Sequence, residues 1–106
     1  KFWESDASVV ASAQSCLSEW AGVPGVMPVF SSGQWANQAP DMYATLHSTD
    51  LMHLAGGGII GHPDGIAAGV ASMRESWEAA ATGVPLERYA QTHPALKRAL
   101  EHFGQL

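Results

Sequence analysis

The chain has 106 residues, 46% hydrophobic and only 14% charged, with a formal net charge of −5. It has no basic run, so it lacks the clustered cations that displace counterions from nucleic acid, and no nucleic-acid partner is expected. A charged fraction well under the globular average of about 25% implies a surface covered by further chain or by another subunit, and the length suits one small domain or part of a larger one.

The sequence opens on Lys1 rather than Met, which suggests a start within a longer protein or after processing. Residues 5 to 20 read as a helix. Ser5 or Asp6 can cap it, and Val9, Val10, Ala13, Cys16, Leu17 and Trp20 recur at helical spacing. Cys16 is the sole cysteine, so no internal disulfide can form, and its apolar position reads as a small buried hydrophobe. Gly22, Pro24 and Gly25 form a turn. Residues 26–30 are a nearly all-apolar run, the pattern of a strand buried on both faces in a parallel sheet. Ser31, Ser32 and Gly33 follow at its C-terminal end, and 34–39 read as loop.

Pro40 suits the first turn of a short helix running from Asp41 to about Leu46. A second strand-length apolar run, 51–55, leads directly into Gly56, Gly57 and Gly58. Pro63 and Asp64 open a long helix to about Ala81, with Ile66, Val70, Met73 and Trp77 as its apolar stripe. Gly83 and Pro85 stop it. A turn or two is expected over 86–92, then a last helix from Pro94 to Phe103 with Leu96, Ala99, Leu100 and Phe103 inward. Strands alternating with helices predict an α/β fold with right-handed crossovers and a parallel sheet. Two strands leave both edges of such a sheet unpaired, so the remaining strands are expected from sequence outside this chain. No apolar run is long enough to cross a bilayer and no signal peptide is evident, so a soluble, cytoplasmic protein without a membrane partner is expected.

The glycine loops carry the chemistry. Residues 56–61, GGGIIG, match the dinucleotide fingerprint. However, His62 and Pro63 delay the helix, and the acidic residue expected about 20 positions on should end a strand, whereas Glu75 and Glu78 fall inside a helix. No Gly-Lys-Ser/Thr is present, which excludes a Walker A loop. The reading favoured is that both loops act together. Backbone N–H groups freed by glycine form a donor array for an oxyanion, and in (β/α)8 barrels the phosphate site is commonly built after strands 7 and 8. The alternative is that the glycines only make tight turns. Three in a row carry a high entropic cost for that purpose alone.

Met27-Pro-Val-Phe-Ser-Ser-Gly33, then Pro40, then Leu54-Ala-Gly-Gly-Gly-Ile-Ile-Gly-His-Pro-Asp-Gly65 resembles the C-terminal part of the RuBisCO large-chain superfamily. The likeness covers about residues 26–81 well. It implies strands 7 and 8 of a (β/α)8 TIM barrel at about 26–30 and 51–55, with the C-terminal helices over 64–103, in a homodimer or larger homo-oligomer whose active sites form between chains. By the same resemblance Ser31 touches substrate, Ser32 lies in the same substrate-binding loop, and Gly33, Gly56 and Gly57 supply amides to a phosphate. By the resemblance Lys1 would be the family's mobile catalytic lysine, on the loop after strand 6. Carboxylases have a serine and two glycines where this chain has Ser31-Ser32-Gly33, and an aromatic where it has Asp64. Both departures look more like the RuBisCO-like proteins that do not fix carbon dioxide. The function implied is Mg²⁺-dependent enolisation or isomerisation of a sugar phosphate, with proton abstraction next to a carbonyl. The metal ligands would lie on earlier strands, upstream of this chain. The alternatives are a true ribulose-bisphosphate carboxylase, or a non-catalytic fragment that keeps only the phosphate site.

Other constellations point less far. The histidines, His47, His53, His62, His93 and His102, form no metal-ligand spacing. His62 reads as a residue that hydrogen-bonds its turn, and His53 as a satisfied interior side chain. No G-x-S-x-G elbow supports a hydrolase triad. Trp35 and Asn37 are placed either to read substrate groups or to pack at a subunit contact.

Overall fold

A computed structural model describes residues 5–18 and 25–104. The first helix, α1 (Asp6–Leu17), starts where the Ser5 hydroxyl accepts the Ser8 N–H at 3.2 Å. The turn expected at Gly22 and Pro24 lies outside the described residues, but the helix ends short of the expected Trp20: it stops at Leu17, because Ser18 turns extended at ψ 148°. The chain re-enters at Gly25 against the end of α1. Val26 N–H donates to the Cys16 carbonyl at 2.7 Å, and a Cβ at Gly25 would sit 2.6 Å from that same oxygen, so glycine is required by the close approach.

Two strands follow, β1 (Val29–Phe30) and β2 (Met52–His53), paired in parallel with Val29 opposite Met52 and Phe30 opposite His53. Met52 N–H donates to Pro28 O at 2.9 Å and Leu54 N–H to Phe30 O at 2.8 Å. Between the strands run a 3₁₀ turn (Ala36–Gln38) and α2 (Ala39–Leu46), the latter with Pro40 in its first turn as expected. The ladder is shorter than the apolar runs 26–30 and 51–55, and one face is open rather than both being buried. Phe30 and Ala55 pack inward, while Val29, Met52 and Leu54 are about half exposed. Side chains alternate across a strand, and among the described residues the side chains of one face stay about half exposed.

The glycine triplet does not form an irregular loop. It begins a short helix, α3 (Gly56–Ile60). The long helix α4 (Ile66–Thr82) starts later than Pro63 and Asp64, because Gly65 ahead of it sits at φ 98°, outside helical geometry. At its far end Gly83 takes φ 74°, Gly83 N–H donates to Ala80 O, and Val84 N–H donates to Ala79 O, the Schellman arrangement. The buried face of α4 also departs from the apolar stripe. Met73 is buried, but Ile66 and Val70 are exposed, and Gly69, Ser72, Ser76 and Ala79 point inward. Small residues sit there because the neighbours come close. A Cβ on Gly69 would meet the Ile59 carbonyl oxygen at 2.3 Å, and the Ser76 hydroxyl donates to Ala36 O.

Helices α5 (Leu86–Ala90) and α6 (Pro94–Phe103) close the structure at the expected places, with Leu96 and Ala99 fully buried. The core therefore lies between the inward sheet face and α4, α5 and α6, built from Ala36, Ala55, Met73, Ala79, Leu86 and Leu96 among others.

Candidate anion site at two strand tips

Both strand tips open onto one cleft of about 600 Å³, lined by Ser32, Gly33, Gln34, Trp35, Leu54, Gly56, Gly57, Gly58 and Phe103. Four of the expected site residues, Ser32, Gly33, Gly56 and Gly57, are thus brought together. Ser31 is exposed at the end of β1 and is not among the lining residues. Lys1 lies outside the described residues. The lining carries no carboxylate, so an anion there meets no like charge from these residues.

The loop after β1 is held by its carbonyls. Gln34 Nε2 donates to Ser32 O at 3.0 Å, and Gln38 Nε2 donates to Gly33 O at 2.9 Å. In a trans peptide the following N–H points opposite to the carbonyl. Anchoring these two oxygens therefore turns the N–H groups of Gly33 and Gln34 away from the anchoring amides, and neither donates to a backbone acceptor among the described residues. Ser32 and Gly33 both take left-handed φ, 68° and 66°. Glycine does so freely, whereas a serine there costs about 1 kcal/mol.

Across the cleft, Gly56 and Gly57 open α3, and the first N–H groups of a helix have no intrahelical acceptor. The triplet divides into two roles. Nothing lies within 4 Å of a Cβ built on Gly56 or Gly57, so both face open space. A Cβ on Gly58 would lie 2.6 Å from Gln34 O and 2.8 Å from Trp35 Cβ. Gly58 therefore lets α3 press against the loop after β1, and it brings the two tips together. The dinucleotide match has no structural counterpart, since its first three glycines are already helical and the long helix starts only at Ile66.

The histidines separate cleanly. His62 is buried; its Nδ1 accepts Asp64 N–H at 3.0 Å and its Nε2 donates to Ala95 O at 2.9 Å, which ties the turn to α6. That is the expected structural role. His53 is satisfied as expected, with Nδ1 accepting the Trp77 indole N–H at 3.0 Å and Nε2 facing Gln34 Oε1 at 3.2 Å. Burial lowers its pKa to about 4, which keeps the ring neutral. Trp35 faces the cleft and packs on Phe103 with ring centroids 5.4 Å apart, whereas Asn37 is exposed and outside the lining. No group of three or more His, Cys, Asp or Glu residues that could hold a metal exists among the described residues. Gln34 and Gln38 were not foreseeable as site residues, and Gly58, read with its neighbours as part of the glycine loop, serves close packing instead. The only hint was two amide side chains close behind a Ser-Ser-Gly tip.

Residues 5–103 match the family model for the ribulose bisphosphate carboxylase large chain, catalytic domain. The chain is 51% identical over 102 residues to a 3-oxo-isoapionate-4-phosphate transcarboxylase/hydrolase of Xanthobacter autotrophicus, covering 94% of this chain and 25% of that protein. It is 45% identical over 108 residues to a 3-oxo-isoapionate-4-phosphate decarboxylase of Rhizobium etli, covering 98% of this chain and 25% of the relative. Among solved structures, a rubisco-like protein from Burkholderia fungorum superposes with a TM-score of 0.91 at 47% identity, over 95% of this chain and 26% of that one. The chain thus spans about a quarter of the length of the relatives it matches. It belongs to the RuBisCO large-chain family, as the C-terminal α/β portion of a RuBisCO-like (β/α)8 barrel.

Proposed function

We propose that this segment supplies the phosphate-binding half of a RuBisCO-like active site, in an enzyme that acts on a phosphorylated sugar derivative without fixing carbon dioxide. The observation that carries the reading is the convergence of Gly33, Gly56 and Gly57 on one cleft free of carboxylates. Their N–H groups would receive the phosphate, and Ser31 at the β1 tip would orient the carbon chain. β1 and β2 would be strands 7 and 8 of the barrel, with Lys1 near the mobile loop after strand 6.

The names of the relatives sharpen the substrate class. Both act on 3-oxo-isoapionate-4-phosphate, a phosphorylated 3-oxo acid. Loss of CO₂ from such an acid, like proton abstraction beside a carbonyl, leaves an enolate, which is an enediolate where the neighbouring carbon carries a hydroxyl. Decarboxylation therefore fits this site as well as the enolisation or isomerisation that the family likeness suggests. Mg²⁺, when bound, would stabilise charge on the enediolate oxygens. The described residues do not converge to hold it, so its ligands would belong to the rest of the barrel. The cleft residues would bind and orient the substrate, and Lys1 would be the catalytic residue this segment supplies. The partners proposed are the remainder of the barrel and a second copy of the chain. The test is CO₂ release from 3-oxo-isoapionate 4-phosphate by the full-length protein. Turnover that depends on the 4-phosphate supports the reading, and equal turnover of the dephosphorylated acid would count against a phosphate role for these loops.

A further inference from the structure

The chain of bonds from α4 to the β1 tip can be read donor by donor. The Trp77 indole N–H can only donate, so His53 Nδ1 must accept and the ring proton must sit on Nε2. Nε2 faces Gln34 Oε1 at 3.2 Å, which makes that oxygen the acceptor and fixes which way the Gln34 amide points. Gln34 Nε2 is then free to donate to Ser32 O at 3.0 Å. One donor-only group thereby settles a tautomer, an amide orientation and the direction of a backbone carbonyl. Gln34 is 4% exposed, so an unpaired amide there would be costly. The carbonyl held belongs to Ser32, a non-glycine residue at φ 68°, a conformation that an L side chain takes only at a cost.

We propose that His53 is a positioning residue for the anion site, acting through Gln34 to hold Ser32 in its left-handed conformation and so aim the Gly33 N–H into the cleft. The inference rests on the phosphate reading given above. His53 sits on β2, outside the cleft lining, and it touches no ligand itself.

The experiment uses the full-length protein with inorganic phosphate as the calorimetric probe. His53→Leu should weaken phosphate by about tenfold, the scale of losing one preorganised donor set. His53→Gln can keep a donor toward Gln34 and should recover most of that loss, although both variants melt at similarly lowered temperatures. Wild-type affinity in His53→Leu, or a Gln variant no better than Leu, overturns the relay. A crystal structure of full-length His53→Leu supplies a readout independent of binding. Ser32 is expected to leave the left-handed region, and an unchanged Ser32–Gly33 backbone overturns the proposal even if phosphate does not bind. Failure of the phosphate reading itself looks different: wild-type protein would bind no phosphate, or bind it equally well in Gly57→Val.

Discussion

Glu75 on α4 accepts the Leu96 N–H at 3.0 Å, so a buried carboxylate from one helix caps the first turn of another. Together with His62, which donates to Ala95 O, it pins α6 at its start. Removing the acceptor leaves a buried N–H unpaired. Glu75→Ala is expected to destabilise the full-length protein by about 1–3 kcal/mol, and Glu75→Gln by less because it keeps a carbonyl oxygen. Amide exchange should accelerate at Leu96 and its neighbours. Exchange unchanged at those positions would show that the cap contributes little.

Gly57 and Gly58 should fail in opposite ways. A Cβ at Gly57 enters open space, so Gly57→Val is expected to keep the fold and melting temperature while weakening phosphate binding by about tenfold or more, through occupied space and displaced donors. A Cβ at Gly58 would overlap Gln34 O and Trp35, so Gly58→Ala should cost about 1–3 kcal/mol as overpacking does. Calorimetry and thermal melts on both variants separate the two effects.

Acid should weaken this part of the protein through His53. Its folded pKa, lowered to about 4 by burial, lies below the ordinary 6.5. Between those values the unfolded chain binds a proton that the folded chain refuses, so stability is retained above 6.5 and declines as pH falls toward about 4. Arg74 lines the same groove and adds no acceptor for that proton. Urea midpoints should show wild type losing more than His53→Gln over this window. Parallel pH profiles would contradict the assignment.

Residues 1–106 expressed alone are expected to give a poorly folded or aggregating product. Val29, Met52 and Leu54 present a half-exposed apolar face, and among the described residues β1 and β2 each leave an edge unpaired. A sharp cooperative melt of a monomer, followed by circular dichroism, is the contrary outcome.

The order of elements was legible because its signals are local. Ser5 capped α1, Pro40 and Pro94 opened α2 and α6, and Gly83 closed α4. The strand tips were legible from their Ser-Ser-Gly and Gly-Gly-Gly endings. What escaped depends on contacts distant in sequence. The inward face of α4 is set by how near Ile59 and Ala36 approach, so small residues displaced the apolar stripe at Ile66 and Val70. The strands read as buried on both faces because their composition suits a complete barrel, while the described chain covers only one side. Gln34 and Gln38 matter through the carbonyls they hold, and no local pattern marks an amide for that task.

The split within the glycine triplet also bears on how such a site diversifies. Position 58 answers to the scaffold, and positions 56 and 57 answer to whatever occupies the cleft. A side chain at either of the first two positions would enter the cleft and leave the barrel intact, whereas any side chain at the third would wedge the two tips apart.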